Sequence, residues 1–327
     1  MNTDPIPFQS VLAALLDEKQ QFPRGYLREF SDIGTLELKT LLDVWPRATL
    51  SRKQSLLKEL KVLAGADTLV SFDDLARALL TDPDPTVRTY AISLLAESED
   101  IKLVPTYLDM LSNDSDVNVR REVANVLNLF VDLGELEEIP DNVYHQVEDA
   151  LLAAAHGEDD VRVRRAALES LGYSSRPEVI TLIESAFNRE DPNWQASALL
   201  AMGRSADDRW ADDILNSLVN DDDRIRRAAV QAAGQLSIKS ARPILLQILM
   251  EEEEEGVANA AIWSLSQIGG EDVRTYLESL LSQSEDDEQI DFLEDALDNL
   301  AFTEDLDRFD LMAYDPDVDP FQEEDKE

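Results

Sequence analysis

One pattern governs what this chain can fold into: an acidic residue, two spacers, a bulky apolar residue and then, in most copies, arginine. It reads Asp84–Val87–Arg88, Asp116–Val119–Arg120, Asp160–Val163–Arg164, Asp191–Trp194–Gln195, Asp222–Ile225–Arg226 and Glu254–Val257–Ala258. The apolar anchors are separated by 32, 44, 31, 31 and 32 residues. A fixed period of this length marks stacked supersecondary units, each burying its apolar face against its neighbours. Such arrays present long surfaces rather than closed pockets, so the repeat also bears on how the chain works.

The run after each anchor has the period of a buried helix. Four residues on stand Ala91, Val123, Ala167, Ala198, Ala229 and Ala261, and eight residues on stand Leu95, Leu127, Leu171, Met202, Ala233 and Leu265. Offsets of zero, four and eight share one helical face, whereas a strand would alternate with a period of two. The small residue at offset four lets neighbouring helices approach, and the larger ones fill the space between them. Trp194 occupies an anchor and is expected to be structural.

The acid at the head of each copy has a local cause. A carboxylate just before a helix accepts bonds from the first free backbone N–H groups and sits favourably at the positive end of the helix dipole. Pro85 and Pro192 follow two of these acids, in the first turn where proline is tolerated. A second apolar helix precedes each capped one, over 71–80, 100–112, 141–155, 175–188, 207–219 and 239–250. Each unit is therefore a helix–turn–helix of roughly 30 residues.

The acid–x–x–Val–Arg pattern with Ala and Leu downstream resembles HEAT repeats, in particular the short bacterial type seen in phycobilisome-lyase-like proteins. The resemblance covers about 71–302 and implies an all-α fold, an α–α superhelix of about eight helix pairs. It also implies a side-chain ladder between neighbouring repeats, formed by Asp84, Asp116, Asp160 and Asp222 with Arg88, Arg120, Arg164 and Arg226. Gln195 and Ala258 interrupt that ladder, which is expected to weaken toward the C-terminal end. Since repeats of this type serve unrelated tasks, the resemblance speaks to fold more than to function.

The ends read as degenerate units, because an open end would expose core. At the N-terminal side, residues 1–70 hold an apolar helix over 8–20 and a capping pair over 35–45 and 50–64. At the other side, 271–282 and 286–300 form a capping repeat with Ile290, Leu293 and Leu297 facing inward. The long 44-residue interval places an insertion loop near 131–141 (VDLGELEEIPD). Residues 303–327 form an acidic tail without helical periodicity. Three roles are open to it: folding back over the last repeat, passive solubilisation, or docking through the apolar residues of Phe309–Tyr314.

Charge is the second constraint. The chain carries 69 Asp and Glu against 29 Lys and Arg, a net −40. Residues 1–65 are near neutral, whereas residues 251–327 hold 27 acids against only Arg274, Arg308 and Lys326. Such a surface repels nucleic-acid phosphates, so DNA or RNA binding is not expected. The same field speeds encounter with a basic protein or peptide. Solubility, or adaptation of the host to salt, accounts for the acidity equally well. There is no cysteine, which removes disulfides, thiolate metal sites and cysteine nucleophiles. No apolar run is long enough to span a membrane, and MNTDPIPFQS lacks the charged and apolar regions of a signal peptide, so the cytoplasm is the default location.

Catalysis finds little footing. The two histidines, His145 and His156, lie eleven residues apart on one helix, about 16 Å along its axis, too far to share a metal. Neither is followed by Glu, whereas the HEAT-repeat enzyme deoxyhypusine hydroxylase holds iron with His–Glu pairs. No phosphate-cradling glycine motif occurs. Acidic clusters such as Asp221–Asp223 and Asp286–Glu288 lack calcium-loop spacing and contain expected helix caps. No cofactor or metal is expected.

In stacks of this type the second helices line the concave side. Offsets two and six from the anchors point away from the core, and there Arg121, Arg165 and Arg227 form a cationic row, with Leu200 and Trp263 as an apolar end. Arg and Trp are enriched among residues that dominate interfaces. The plainer account is that the arginines neutralise nearby carboxylates and that Trp263 packs on the next repeat. The function expected is a non-enzymatic scaffold that binds a protein or peptide along this face, its acidic C-terminal half steering a basic partner. The alternatives are a cofactor-handling protein similar to HEAT-like bilin lyases and a self-assembling array.

Overall fold

The computed structural model of the chain describes the backbone of residues 6–252 and 254–313 and the side chains through 306. Every element among the described residues is helical. The chain divides into two compact units, Met1–Val179 and Ile180–Glu327. No helix among the described residues is long and apolar enough to cross a membrane.

The first unit holds α1 (Phe8–Leu16), α2 (Thr35–Val44), α3 (Leu50–Ala66), α4 (Asp73–Leu79), α5 (Pro85–Leu94), α6 (Val104–Asn113), α7 (Val117–Val126), α8 (Asn128–Glu135), α9 (Asp141–His156) and α10 (Val161–Ser170). Helices α3, α5, α7 and α10 pack side by side in one layer, and α4, α6 and α9 back them in a second. α11 (Pro177–Phe187) carries the chain into the second unit, which adds α12 (Pro192–Arg204), α13 (Ala211–Ser217), α14 (Asp223–Gln235), α15 (Arg242–Glu251), α16 (Glu255–Ile268), α17 (Glu271–Gln283) and α18 (Asp287–Ala313). Here α12, α14, α16 and α18 form the second-helix layer, and α13, α15 and α17 back it.

The periodic residues make these layers. All six anchors are buried, as are all the residues at offsets four and eight, from Ala91 and Leu95 to Ala261 and Leu265. Trp194 lies among them as expected. The acids at the head of each copy cap the helix that follows: Asp84 accepts from the Thr86 and Val87 amides, Asp116 from Asn118 and Val119, and Asp160, Asp191, Asp222 and Glu254 from one amide each.

Two glycines set how closely the second helices of the second unit approach. A Cβ built on Gly203 would stand 2.7 Å from Ala232 Cα, and one on Gly234 would stand 2.7 Å from Ser264 Cα. Both lie nine residues after an anchor, where one helix meets the backbone of the next.

Three boundaries differ from those expected. The segment near 131–141 is not a loop throughout: α8 runs Asn128–Glu135 and buries Phe130, Val131 and Leu133, because the extra residues carry enough apolar surface to be drawn into the first unit. At the far end, Leu293, Ala296 and Leu300 are buried, while Ile290 and Leu297 are half-buried. Finally, α18 continues past 302 to Ala313; Thr303 Oγ1 donates back to the Asn299 carbonyl at 3.1 Å and Glu304 pairs with Arg274 at 2.7 Å, which anchors the added turn. Tyr314–Glu327 and the side chains of Phe309, Leu311 and Met312 lie outside the described residues.

Candidate functional site

Three of the arginines that follow an anchor, Arg88, Arg120 and Arg226, join consecutive repeats. Arg88 grips Asp114 with two parallel bonds, Nε to Oδ2 at 2.8 Å and Nη2 to Oδ1 at 2.7 Å, while its Nη1 donates to the Asp82 carbonyl at 2.8 Å. Arg120 repeats this on Asp159 at 2.8 and 2.5 Å and on the Asp114 carbonyl at 2.7 Å. In the second unit Arg226 holds Glu252 at 2.9 Å and the Asn220 carbonyl at 2.9 Å. Arg164 donates from Nε to the Ala155 carbonyl at 3.2 Å. Forked pairing of this kind fixes geometry as well as charge.

A ladder is therefore present, but its acids are not the expected ones. Asp84, Asp116, Asp160 and Asp222 turn their carboxylates onto their own helix amides. The rungs close on Asp114, Asp159 and Glu252, which lie one or two residues earlier and also accept from the amide of the capping residue, at 2.9, 2.6 and 3.1 Å. The first rung uses other chemistry: buried Asp82 accepts from Trp45 Nε1 at 2.8 Å and faces Lys53 Nζ at 3.5 Å. Where Gln195 replaces arginine, the Arg189 guanidinium stacks on Trp194 at 4.0 Å. Sequence did hold a signal for most of these partners, an acid or amide five residues before the anchor at Asp82, Asp114, Asn220 and Glu252, whereas Asp159 stands four before Val163.

The ladder shifts titration in step. The bonds from Arg120 hold the Asp159 carboxyl below its ordinary range, and Asp159 in turn raises Arg120. At Asp114, burial pushes upward, but the bonds from Arg88, the Asp116 amide and two arginine charges outweigh it, and the net shift is downward.

One residue further along each second helix, the side chains face elsewhere. In the first unit this places Arg121 on α7 and Arg165 on α10, both half-buried. Among the described residues Arg121 makes no hydrogen bond or ion pair, and its Nε is buried without a partner. In the second unit offset two gives exposed Arg227 on α14, and offset six gives half-buried Leu200 on α12 and Trp263 on α16, 40% exposed. Arg227 likewise makes no hydrogen bond or ion pair among the described residues, and a Cβ on Gly256 would stand 3.1 Å from its Nη1. Trp263 stacks on Phe292 of α18, ring centroids 6.5 Å apart and planes 28° from parallel. The packing expected of Trp263 thus coexists with partial exposure of the side chain.

The histidines take ordinary positions. His156 is exposed, and His145 Nδ1 lies 2.9 Å from Glu148, a fully buried carboxylate that also accepts from Ser174 Oγ at 2.6 Å. Among the described residues, no three His, Asp or Glu side chains gather as a metal site.

Comparison with known proteins agrees with this geometry. The model of HEAT repeats matches residues 72–141, 148–232 and 211–298, well over half of the chain. No curated protein matches the sequence. Among solved structures, the CpcE–CpcF complex of phycocyanin lyase from Nostoc aligns at 18% identity over 92% of this chain and 97% of that one, with a TM-score of 0.51. YibA of E. coli aligns at 16% identity over 87% and 98%, TM-score 0.42. Human deoxyhypusine hydroxylase aligns at 14% over 80% and 95%, TM-score 0.34. At these identities the likeness is one of fold.

Proposed function

We propose that this chain, which belongs to the HEAT-repeat family, is a non-enzymatic scaffold that binds a protein or extended peptide on its second-helix layer. One observation supports this above the rest. In a chain with 69 acidic side chains, Arg88, Arg120 and Arg226 at offset one are committed to ladder rungs, yet Arg121 and Arg227 at offset two form no side-chain hydrogen bond or ion pair among the described residues. The buried Arg121 Nε lacks a partner, a cost in solvation that a partner's carboxylate or carbonyl removes, and the exposed Arg227 guanidinium is open to the same contact. Arg165 shares the register of Arg121, while Leu200 and Trp263 offer apolar contact in the second unit. Binding draws on helices already held in place by the ladder, so little ordering is needed. The acidic surplus of residues 251–327 adds long-range attraction for a basic region of the partner.

The test is affinity capture from host lysate with the full chain, set against the Arg121→Glu, Arg165→Glu and Trp263→Ala variants. A stoichiometric protein that is retained by wild type and lost by the variants, with helicity unchanged, is the expected result. Equal retention by all variants removes the face from consideration. A purified chain carrying a coloured adduct or a metal turns the case to the second reading, a pigment-handling role like that of phycocyanin lyase.

A further inference from the structure

We propose that the groove between α16 and α18 is a seat for an arginine side chain of a basic peptide segment. This rests on the scaffold reading and gives that scaffold one specific contact. On α16, Glu255, Asn259 and Trp263 are spaced by four residues and so form one stripe; on α18, Glu288 and Phe292 do the same. Glu255, Asn259, Asp286, Glu288, Gln289 and Phe292 line a cleft of about 520 Å³, and Trp263 stacks on one of these, Phe292.

Two independent properties of this cleft select its occupant. The first is a solvent-accessible indole: Trp263 is 40% exposed, whereas Trp45, Trp194 and Trp210 are each 4% exposed. The second is uncompensated negative charge. Among the described residues the Glu255 and Glu288 side chains make no hydrogen bond or ion pair, nor does the Asn259 side-chain amide, and the Asp286 carboxylate accepts only from the Gln289 backbone N–H, at 2.9 Å. The positive ends of α16 and α18 and the Arg227 guanidinium offset part of this charge, but Glu254 and Asp287 add to it.

An anionic segment is repelled here, and a purely apolar one would strip water from carboxylates that gain nothing in return. A lysine answers the charge, but its compact and strongly hydrated ammonium makes less of the ring. A guanidinium does both, stacking flat on the indole while its N–H groups donate in plane to carboxylates at the rim. The geometry thus points to arginine, in a chain segment short of acids.

The experiment titrates the full chain with a synthetic peptide of alternating arginine and glycine, with lysine–glycine and glutamate–glycine peptides alongside, read by tryptophan emission and by calorimetry. Since the other tryptophans are buried, a saturable change in emission reports Trp263. The arginine peptide is expected to bind about fivefold more tightly than the lysine peptide, and the glutamate peptide not to bind. Trp263→Ala, and separately Glu255→Gln with Glu288→Gln, should each weaken the arginine peptide by about tenfold. Equal binding of arginine and lysine peptides with unmoved emission would mean that net charge alone attracts them, and the inference would fall. It falls also if the double glutamine variant binds as wild type does. Arg121→Glu serves to separate the two readings: the peptide should bind it unchanged while the captured partner is lost. If the peptide fails on wild type but partner capture still depends on Arg121, the groove is wrong and the scaffold stands.

Discussion

The rung between Arg88 and Asp114 gives the sharpest test of how consecutive repeats are joined. The two side chains are 13% and 8% exposed and meet through two bonds of 2.8 and 2.7 Å. Asp114→Ala leaves a guanidinium with only backbone carbonyls and also frees the Asp116 amide. Truncating one partner of a buried pair costs roughly 3–5 kcal/mol, and this pair keeps an edge in water, so about 3 kcal/mol is expected. Arg88→Met keeps most of the stem packing and removes the fork. A double-mutant cycle of the two should yield a coupling of about 1–3 kcal/mol, whereas Asp84→Ala, a lost cap of about 1 kcal/mol, should be additive with Arg88→Met to within about 0.5 kcal/mol. Urea unfolding followed by far-UV circular dichroism supplies each corner, with the m-value checked for constancy. The pH dependence follows from the lowered Asp114 carboxyl. A depressed folded-state value contributes stability in full above the unfolded value near 3.8, and loses it as pH falls through the lower folded value. The coupling should therefore be flat from neutrality down toward that range and vanish below it. Stronger coupling of Arg88 to Asp84 than to Asp114, or additivity of Arg88 with Asp114, would refute the assignment of the rung.

Other consequences are equally direct. Gly234→Ala forces a Cβ to 2.7 Å from Ser264 Cα, and its overpacking cost of roughly 1–3 kcal/mol exceeds or cancels the helix-propensity gain of about 1 kcal/mol, whereas Gly65→Ala, whose Cβ meets nothing within 4 Å, should gain up to about 1 kcal/mol; opposite signs in thermal unfolding check this. Burial raises the Asp132 carboxyl on α8, so its ionisation works against the fold; Asp132→Asn should raise the unfolding midpoint at pH 7, and the gain should disappear below about pH 3.8, where both states are protonated. Arg120→Met should lower stability by about 3 kcal/mol by breaking the rung on Asp159, while Arg121→Met should leave the urea midpoint unchanged or higher and still weaken partner retention.

Most of the architecture was legible because it is periodic. Anchors, their downstream partners and the capping acids each recur six times, and every recurrence buries or caps as its position dictates. What escaped is what occurs once. Phe130, Val131 and Leu133 sit in the long interval and follow no repeat, so a helix there could not be told from a loop with apolar residues. The continuation of α18 to Ala313 depends on Arg274 reaching Glu304, a contact 30 residues distant that no local propensity announces. The acids of the ladder were visible but ambiguous: DPDPTVR and DSDVNVR each offer two aspartates, and a choice between them requires knowing that the second is already turned onto its helix amides.

The separation between structure and surface in this chain comes down to a rotation of about 100° per residue along the helix. Arg120 and Arg121 are adjacent and chemically identical, yet one is held by Asp159 and the Asp114 carbonyl and the other has no partner among the described residues. The same holds for Arg226 and Arg227, where Glu252 takes the first and leaves the second exposed. Because each rung takes its acid from the turn ahead of the next second helix, Arg88, Arg120 and Arg226 tie α5, α7 and α14 to the turns before α7, α10 and α16, and with that fix the direction in which the following residue points. Within each unit, Arg121 and Arg227 at offset two are thus positioned by bonds that Arg120 and Arg226 make at offset one. In the turns beside Arg121 and Arg227 the acids are already engaged: Asp116 and Asp222 cap their own helices, and Asp159 and Glu252 hold the neighbouring Arg120 and Arg226. Scarce cations on a defined strip, with a row of acids fixed beside them, are what a bipolar partner surface would be read against.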